Sequence, residues 1–312
     1  MDNKMMEKIE QLIQQGKITP EQKQVLVKAL EEKMDTGKDN CNVGMILCCE
    51  GEDQEIKIKL INEDLKITGD KIENQINVLQ GIERISVDKS EHHVAIQTKK
   101  ERSSWGVFVS KASEELIILQ SPSYSNLSTK TVSGDVEAKN IDGDVTLKSV
   151  SGDLQVEDIN GELVIMSVSG DIDINNAEKI KEVVSKSGDI KINNSHIKGT
   201  IKTYSGEIDL KNASIEDSDL AVFSGDIALC PHQLKGEISI KTFSGDITLN
   251  LPSDLKNDLK YIRFCSQSGN LYCSDSSGKE IEGCQHIDYN PKGSSAIKIK
   301  TTSGNVKIKL EE

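Results

Sequence analysis

Seven acids recur behind Ser-Gly in this chain: Asp135, Asp153, Asp171, Asp189, Glu207, Asp226 and Asp246. The serines concerned stand at 133, 151, 169, 187, 205, 224 and 244, four intervals of 18 followed by 19 and 20. Carboxylates repeated in this way could bind cations, a cationic peptide or a basic protein surface. If the repeats stack about 4.8 Å apart, neighbouring acids repel by about 1 kcal/mol in water before salt screens them. A cationic ligand would relieve that repulsion. The other reading is that turn acids simply point into solvent and need no ligand. Calcium-binding rolls use Gly-Gly-x-Gly-x-Asp nonapeptides, which this sequence does not contain, so no calcium roll is expected.

Other reactive side chains offer less. Cys265, Cys273, Cys284 and His286 fall within 22 residues, but thiol spacings of 8 and 11 match no zinc finger or ribbon. Cys41, Cys48 and Cys49 lack a C-x-x-C and have no nearby histidine. Both groups read as packed or free thiols, and no metal or other cofactor is expected. His92, His93, His196 and His232 have no Ser, Cys or acid at a telling sequence spacing. A serine before glycine resembles a nucleophile site, yet repetition along the chain argues for turn chemistry. No Walker loop, dinucleotide fingerprint or H-E-x-x-H occurs. The expectation is a protein that is not an enzyme.

The elements that must position the acids are short strands. A half-period also shows, with Gly134, Gly143, Gly152, Gly161 and Gly170 standing 9 apart. Each half-repeat reads apolar-x-Gly-acid-apolar-x-apolar. Alternation such as Val145-Thr146-Leu147 or Ile172-Asp173-Ile174 is the two-residue period of a strand with one buried face. About five strand residues leave about four for a turn, where glycine can take a positive φ. Two units make one coil, and successive coils stack as parallel strands. Two apolar ladders result: Val136, Leu154, Ile172, Ile190, Ile208, Ile227, Ile247, and Ala138, Val156, Ile174, Ile192, Leu210, Leu229, Leu249. A sub-period of nine rather than six predicts two facing sheets, not a triangular prism. The fold class is mainly β: a two-sheet parallel β-solenoid with about 18 residues per coil, preceded by a short helical hairpin.

Composition agrees. Aromatics are 3% of 312 residues, which suits a narrow interior of Ile, Val and Leu. The net charge of −13 makes nucleic acid an unfavourable partner and a cationic one favourable. Residues 1–15 carry charges throughout, unlike the apolar core of a signal peptide. No apolar run approaches the length of a membrane helix. Seven cysteines in such a chain read as reduced thiols. A cytoplasmic location is the expectation, with surface exposure by another route left open.

In chain order, residues 1–34 form the hairpin. Ile9, Leu12 and Ile13 share one helical face, and Gly16 caps it. Ile18, Val25, Leu26 and Leu30 supply the apolar side of the hairpin's second half. Thr19-Pro20-Glu21-Gln22 opens the second helix as N-cap, first-turn proline and capping box. Helices this short are expected to pair with a partner protein, a second copy or their own chain. Residues 35–53 read as a linker, 54–130 as an N-terminal cap, 131–250 as regular coils and 251–312 as irregular C-terminal coils. The alternating lysines of 296–310 are expected to charge the terminal edge against fibre-like stacking.

The segment Ile9–Gln22 resembles the short helical hairpin with an x-Gly-x-Ile-Thr-x-Glu-Glu pattern found at one end of many bacterial proteins, with Gln22 where a second acid is usual. Together with the Ser-Gly-Asp coils, it resembles the bacterial "putative adhesin" β-solenoid family of unknown function, whose members include daptomycin-sensing surface proteins. The resemblance implies a non-enzymatic sensor or regulator of the envelope-stress response, with the hairpin as interaction module. The alternative is a structural scaffold or adhesin-like protein built from stacked solenoids.

Overall fold

The chain divides into two compact units, Met1–Cys41 and Asn42–Glu312. The structure, a computed structural model, describes residues 44–47, 55–72, 75–89, 93–99, 116–274, 280–282, 286–288 and 290–310. The hairpin of residues 1–34, with Ile9, Leu12, Ile13, Ile18, Val25, Leu26 and Leu30, lies outside them. So do Cys41, Cys48, Cys49, His92, Trp105 and Cys284.

The strands before the regular coils are β1 (Gly44–Leu47), β2 (Glu55–Lys59), β3 (Asp64–Asp70), β4 (Gln75–Gln80), β5 (Ile85–Lys89), β6 (His93–Thr98), β7 (Leu116–Pro122) and β8 (Asn126–Thr131). The coils contain β9 (Val136–Ile141), β10 (Val145–Ser149), β11 (Leu154–Ser169), β12 (Ile172–Ser187), β13 (Ile190–Asn193), β14 (His196–Ser205), β15 (Ile208–Glu216), β16 (Asp219–Ser224), β17 (Ile227–Ser244) and β18 (Ile247–Leu251). The remaining strands are β19 (Leu259–Ser268), β20 (Leu271–Ser274), β21 (Glu280–Glu282), β22 (His286–Asp288), β23 (Ser295–Ser303) and β24 (Val306–Leu310).

These strands form two walls around one core. The first wall runs β1, β4, β7, β3, β9, β11, β12, β13, β15, β17, β18, β24, β20, β21. The second runs β5, β6, β2, β8, β10, β11, β12, β14, β16, β17, β23, β19, β22. Strands β11, β12 and β17 belong to both because they stay extended around one corner. Both expected ladders are in register: Val136↔Leu154↔Ile172↔Ile190↔Ile208↔Ile227↔Ile247, with Ala138↔Val156↔Ile174↔Ile192↔Leu210↔Leu229↔Leu249 beside it. Every rung is buried. Burying an aliphatic side chain of this size contributes about 1.5–3 kcal/mol, so the ladders drive the stacking.

The ends depart from a simple winding. Strands β2 and β3 are interior, flanked by β8 and β9 on one side and by the later β6 and β7 on the other. The other end repeats this device. The last strands, β23 and β24, lie between β17–β18 and β19–β20. The lysines of 296–310 therefore do not guard a terminal edge, as the sequence order suggested. Antiparallel strands close the ends instead: β4 on β7, β5 on β6, β21 on β20 and β22 on β19. A parallel coil extended from the edges at β5, β21 and β22 would meet a strand of the wrong direction; at the fourth edge β1 lies outside β4 and runs in the coil direction again. Within the expected linker, Gly44–Leu47 pairs antiparallel with β4.

Candidate binding surface

The two walls meet at two corners, and the Ser-Gly-acid motif builds the first of them. Gly134, Gly152, Gly170, Gly188, Gly206, Gly225 and Gly245 have φ between 116° and 139°, a region that L side chains resist. They also stack on one another. A Cβ on Gly188 would stand 2.2 Å from the Gly170 carbonyl oxygen, and one on Gly206 would stand 2.2 Å from that of Gly188.

The acids are held by the same stacking. The amide of Asp153 donates to Asp135 Oδ1, that of Asp171 to Asp153 Oδ1 and that of Asp189 to Asp171 Oδ1, each at 2.8 Å. The amide of Glu207 donates to Asp189 Oδ1 at 2.9 Å. Asp246 donates to Asp226 at 2.7 Å, and Asn305 donates to Asp246 at 2.8 Å. The run breaks once: no bond joins the Asp226 amide to Glu207, whose side chain is one methylene longer. One carboxylate oxygen thus accepts a charge-assisted bond from the next coil, which offsets the repulsion expected of stacked acids. Asp135, Asp153, Asp171, Glu207 and Asp226 are exposed, whereas Asp189 and Asp246 are half-buried. The column is structural first, and its remaining oxygens form the acidic surface.

Beside the acids runs an apolar column that sequence reasoning missed. Ile61, Val132, Val150, Val168, Tyr204, Phe223 and Phe243 each stand just before this corner, with exposures from 42% to 58%. Tyr204 and Phe223 stack with ring centroids 4.5 Å apart, and Phe223 and Phe243 at 4.8 Å. Lys186 fills the remaining rung. The signal was present, since these residues open each half-repeat. Their alternation with the buried Thr131, Ser149 and Ser167 sets them outside the core.

The second corner is built differently. Asn140, Asp158, Asn176, Asn194 and Asn212 have φ of 49–57°, the left-handed region that Asn and Asp tolerate best. Among the glycines of positive φ, neither Gly143 nor Gly161 appears. Glycine is needed there because the next backbone lies close: a Cβ on Gly161 would be 2.3 Å from the Gly143 carbonyl oxygen. Side-chain amides link some coils, as when Asn212 Nδ2 donates to Asn194 Oδ1 at 2.7 Å.

Lysines surround the acids of this second corner. Glu162 bonds Lys179 at 2.8 Å and Lys181 at 2.6 Å. Glu216 bonds Lys198 at 3.0 Å and Lys235 at 3.2 Å. Hydrogen bonds from these lysines hold both carboxyls below their ordinary range.

Stacking also joins His196 to partners that its sequence neighbours do not reveal. His196 Nδ1 lies 3.1 Å from Ser214 Oγ, and Nε2 lies 3.7 Å from Glu216 Oε2. This resembles a nucleophile, base and acid, but Ser214 Oγ donates to Gln233 Oε1 at 3.1 Å. An imidazole that then donates through Nδ1 is not a base toward that hydroxyl. The Ser214 amide is also occupied, by the Ser195 carbonyl. The arrangement is a polar chain beside a shallow groove of about 420 Å³ lined by Asn176, Asn194, Asn212, His232 and Gln233, among others.

The described thiols of the last coils, Cys265 and Cys273, differ in setting. Cys273 is buried and pairs with the Ile308 rung, whereas Cys265 is exposed. His286 pairs with Arg263 across β19 and β22 and bonds Asp288 at 2.7 Å. No group of three metal-ligating side chains occurs among the described residues.

A parallel solenoid with one uniform corner and one variable corner defines a class of repeat protein whose asset is a long, regular surface. The chain belongs to the Toastrack DUF4097 family, which it matches over residues 49–309. It is similar to a "putative adhesin" from Bacteroides fragilis NCTC 9343, at 13% identity and TM-score 0.44, covering 87% of this chain and 98% of that one. A "putative adhesin" from Parabacteroides distasonis ATCC 8503 shows 14% identity and TM-score 0.41, covering 87% and 98%. A "putative cell adhesion protein" from Clostridium sporogenes ATCC 15579 shows 12% identity and TM-score 0.23, covering 87% and 100%. No curated protein matches the chain. Among the described residues, no helix is long and apolar enough to cross a membrane.

Proposed function

We propose that this protein is a non-catalytic sensor or regulator that takes a cationic ligand or protein partner on the Ser-Gly-acid corner. The observation that supports it is the column of Asp135, Asp153, Asp171, Asp189, Glu207 and Asp226, none of which has an ion-pair partner among the described residues. At the second corner Glu162 and Glu216 are each matched by two lysines; the acids of this column are not. With a net charge of −13, the column attracts cationic molecules. The envelope-stress role, a cytoplasmic location and the hairpin as interaction module rest on the amino-acid sequence alone.

The alternative is an adhesin-like scaffold, which the family's structural relatives favour. Stacking end to end would have to overcome the reversed strands β5, β21 and β22 at three of the four wall edges.

The test is affinity for a cationic amphipathic peptide at rising salt. Changing Asp153, Asp171 and Asp189 together to Asn keeps each acceptor oxygen and removes three charges. This variant is expected to bind less tightly than one carrying Asp173→Asn, Glu178→Gln and Asp254→Asn. Equal losses would reduce the attraction to bulk charge.

A further inference from the structure

The exposed apolar column lies between two columns of opposite charge. On one side are the acids of the Ser-Gly-acid corner. On the other, two residues before successive positions of the column, are Lys59, Lys130, Lys148, Lys202, Lys241 and Lys300, all exposed. Among the described residues, Lys130, Lys148, Lys202 and Lys300 make no ion pair, while Lys241 reaches Asp219 at 3.3 Å. Where the lysines lapse, Met166, Val184 and Ala221 stand half-exposed and widen the apolar strip. A contiguous exposed apolar strip of this kind marks an interface.

We propose that a second copy of this chain covers the strip, lying side by side and parallel about a two-fold axis that follows the solenoid axis. This operation carries the acid side of one copy to the lysine side of the other and keeps every coil level with its own counterpart. The column holding Lys148 then faces the column holding Asp153 in the second copy, and Lys130 is matched with Asp135 and Lys202 with Glu207 in the same way. Tyr204, Phe223 and Phe243 meet their own equivalents toward one end of the strip, and aromatic side chains are common interface anchors. An antiparallel pairing would set acids against acids and lysines against lysines. Seven steps from Ile61 to Phe243 at about 4.8 Å give a strip about 34 Å long. With both charged columns it is about 20 Å wide, on the order of 700 Å² per copy and near the usual size of a specific interface. Lys186, the charged residue within the strip, has a stem long enough to carry its ammonium sideways toward an acid column. The dimer would occupy the acid column that the cationic-ligand reading leaves free, so the two compete for it, and subunit mass and peptide affinity are separate readouts that tell them apart.

Sedimentation equilibrium of the full chain tests it. The parent is expected to be a dimer at micromolar concentration. Phe223→Lys is expected to raise the dimer dissociation constant at least about 10-fold, since loss of a buried aromatic anchor has effects of that order. Lys already occupies this column at position 186, so the variant should fold, and an unchanged circular dichroism spectrum would verify it. Phe223→Cys is expected to form a covalent dimer on mild oxidation where the parent does not. A monomeric parent at about 100 µM, well above the range expected of an interface this size, would overturn the proposal. So would a dimer indifferent to Phe223→Lys, or oxidative cross-linking at Lys186→Cys without cross-linking at Phe223→Cys, the pattern of an antiparallel pair.

Discussion

The two corners of each coil look alike in sequence and are built on different principles. Both use Gly-acid between apolar residues, nine positions apart. At the first corner glycine supplies a positive φ, and the acid supplies an acceptor to the next coil's amide. At the second, Asn or Asp supplies the left-handed residue, and the acceptor bond recurs only in some coils, as where the Glu162 amide donates to Asp144 Oδ1 at 2.8 Å. The residue before the motif is exposed at the first corner, as at Val150, and fully buried at the second, as at Ile159. The corners also differ in tolerance. Coil lengths of 19 and 20 arise from extra residues near Asp217 and Gly236, both at the second corner. The first corner repeats one amide-to-carboxylate bond from coil to coil, whereas the bonds of the second corner change from coil to coil, and it is there that the extra residues enter.

The largest expected effect comes from crowding the uniform corner. Gly188→Val places a β-branched side chain at φ 127° and drives its Cβ into the Gly170 carbonyl. Backbone strain alone costs about 1–3 kcal/mol, and the steric clash adds to it. Urea denaturation should show this loss or an unfolded protein. A Gly188→Val variant as stable as the parent would mean that the corner does not have this geometry.

A smaller loss is expected at the variable corner. Asn194→Ala keeps φ near 49° without the tolerance of asparagine and loses the acceptor for Asn212, at a cost of about 1–2 kcal/mol. Asn194→Gly should cost less than Asn194→Ala in the same denaturation experiment. Equal losses would show that the side-chain bonds, not the backbone conformation, govern this position.

The smallest effect is a pH dependence assigned to the variable corner. Lysines hold the carboxyls of Glu162 and Glu216 below their ordinary value of 4.5. Groups lowered on folding add stability above that value and lose it as pH falls through the lowered pKa. The urea midpoint should therefore drift down between pH 5 and pH 3, modestly because the pairs are exposed. Glu216→Gln should flatten part of that drift, and an unchanged slope would remove Glu216 from the account.

The core ladders and the glycine turns of the first corner were legible in the sequence because a repeat of 18 places chemically like residues at like positions. What escaped was written in the same letters. Val132 and Ile159 are both apolar residues two before Gly, and only the phase of the strand alternation separates exposed from buried. The bond from Asp171 to the Asp189 amide spans 18 residues, and an acid in a turn reads the same whether or not it is bonded. Ser214 and Glu216 reach His196 only because coils stack. The doubling back of β2–β3 and β23–β24 has no local sign, since an interior strand and an outer strand share one pattern. Nothing in the described residues bears on the hairpin of 1–34.

The acid column holds coils together before it binds anything. Hydrogen exchange at the Asp189 amide tests it most directly, because that amide donates to Asp171 Oδ1 at 2.8 Å. Asp171→Ala is expected to speed exchange there by about 10-fold, the loss of one charge-assisted bond, while Asp171→Asn leaves it near the parent rate. Equal protection in the parent and in both variants would show that the carboxylate does not carry the corner.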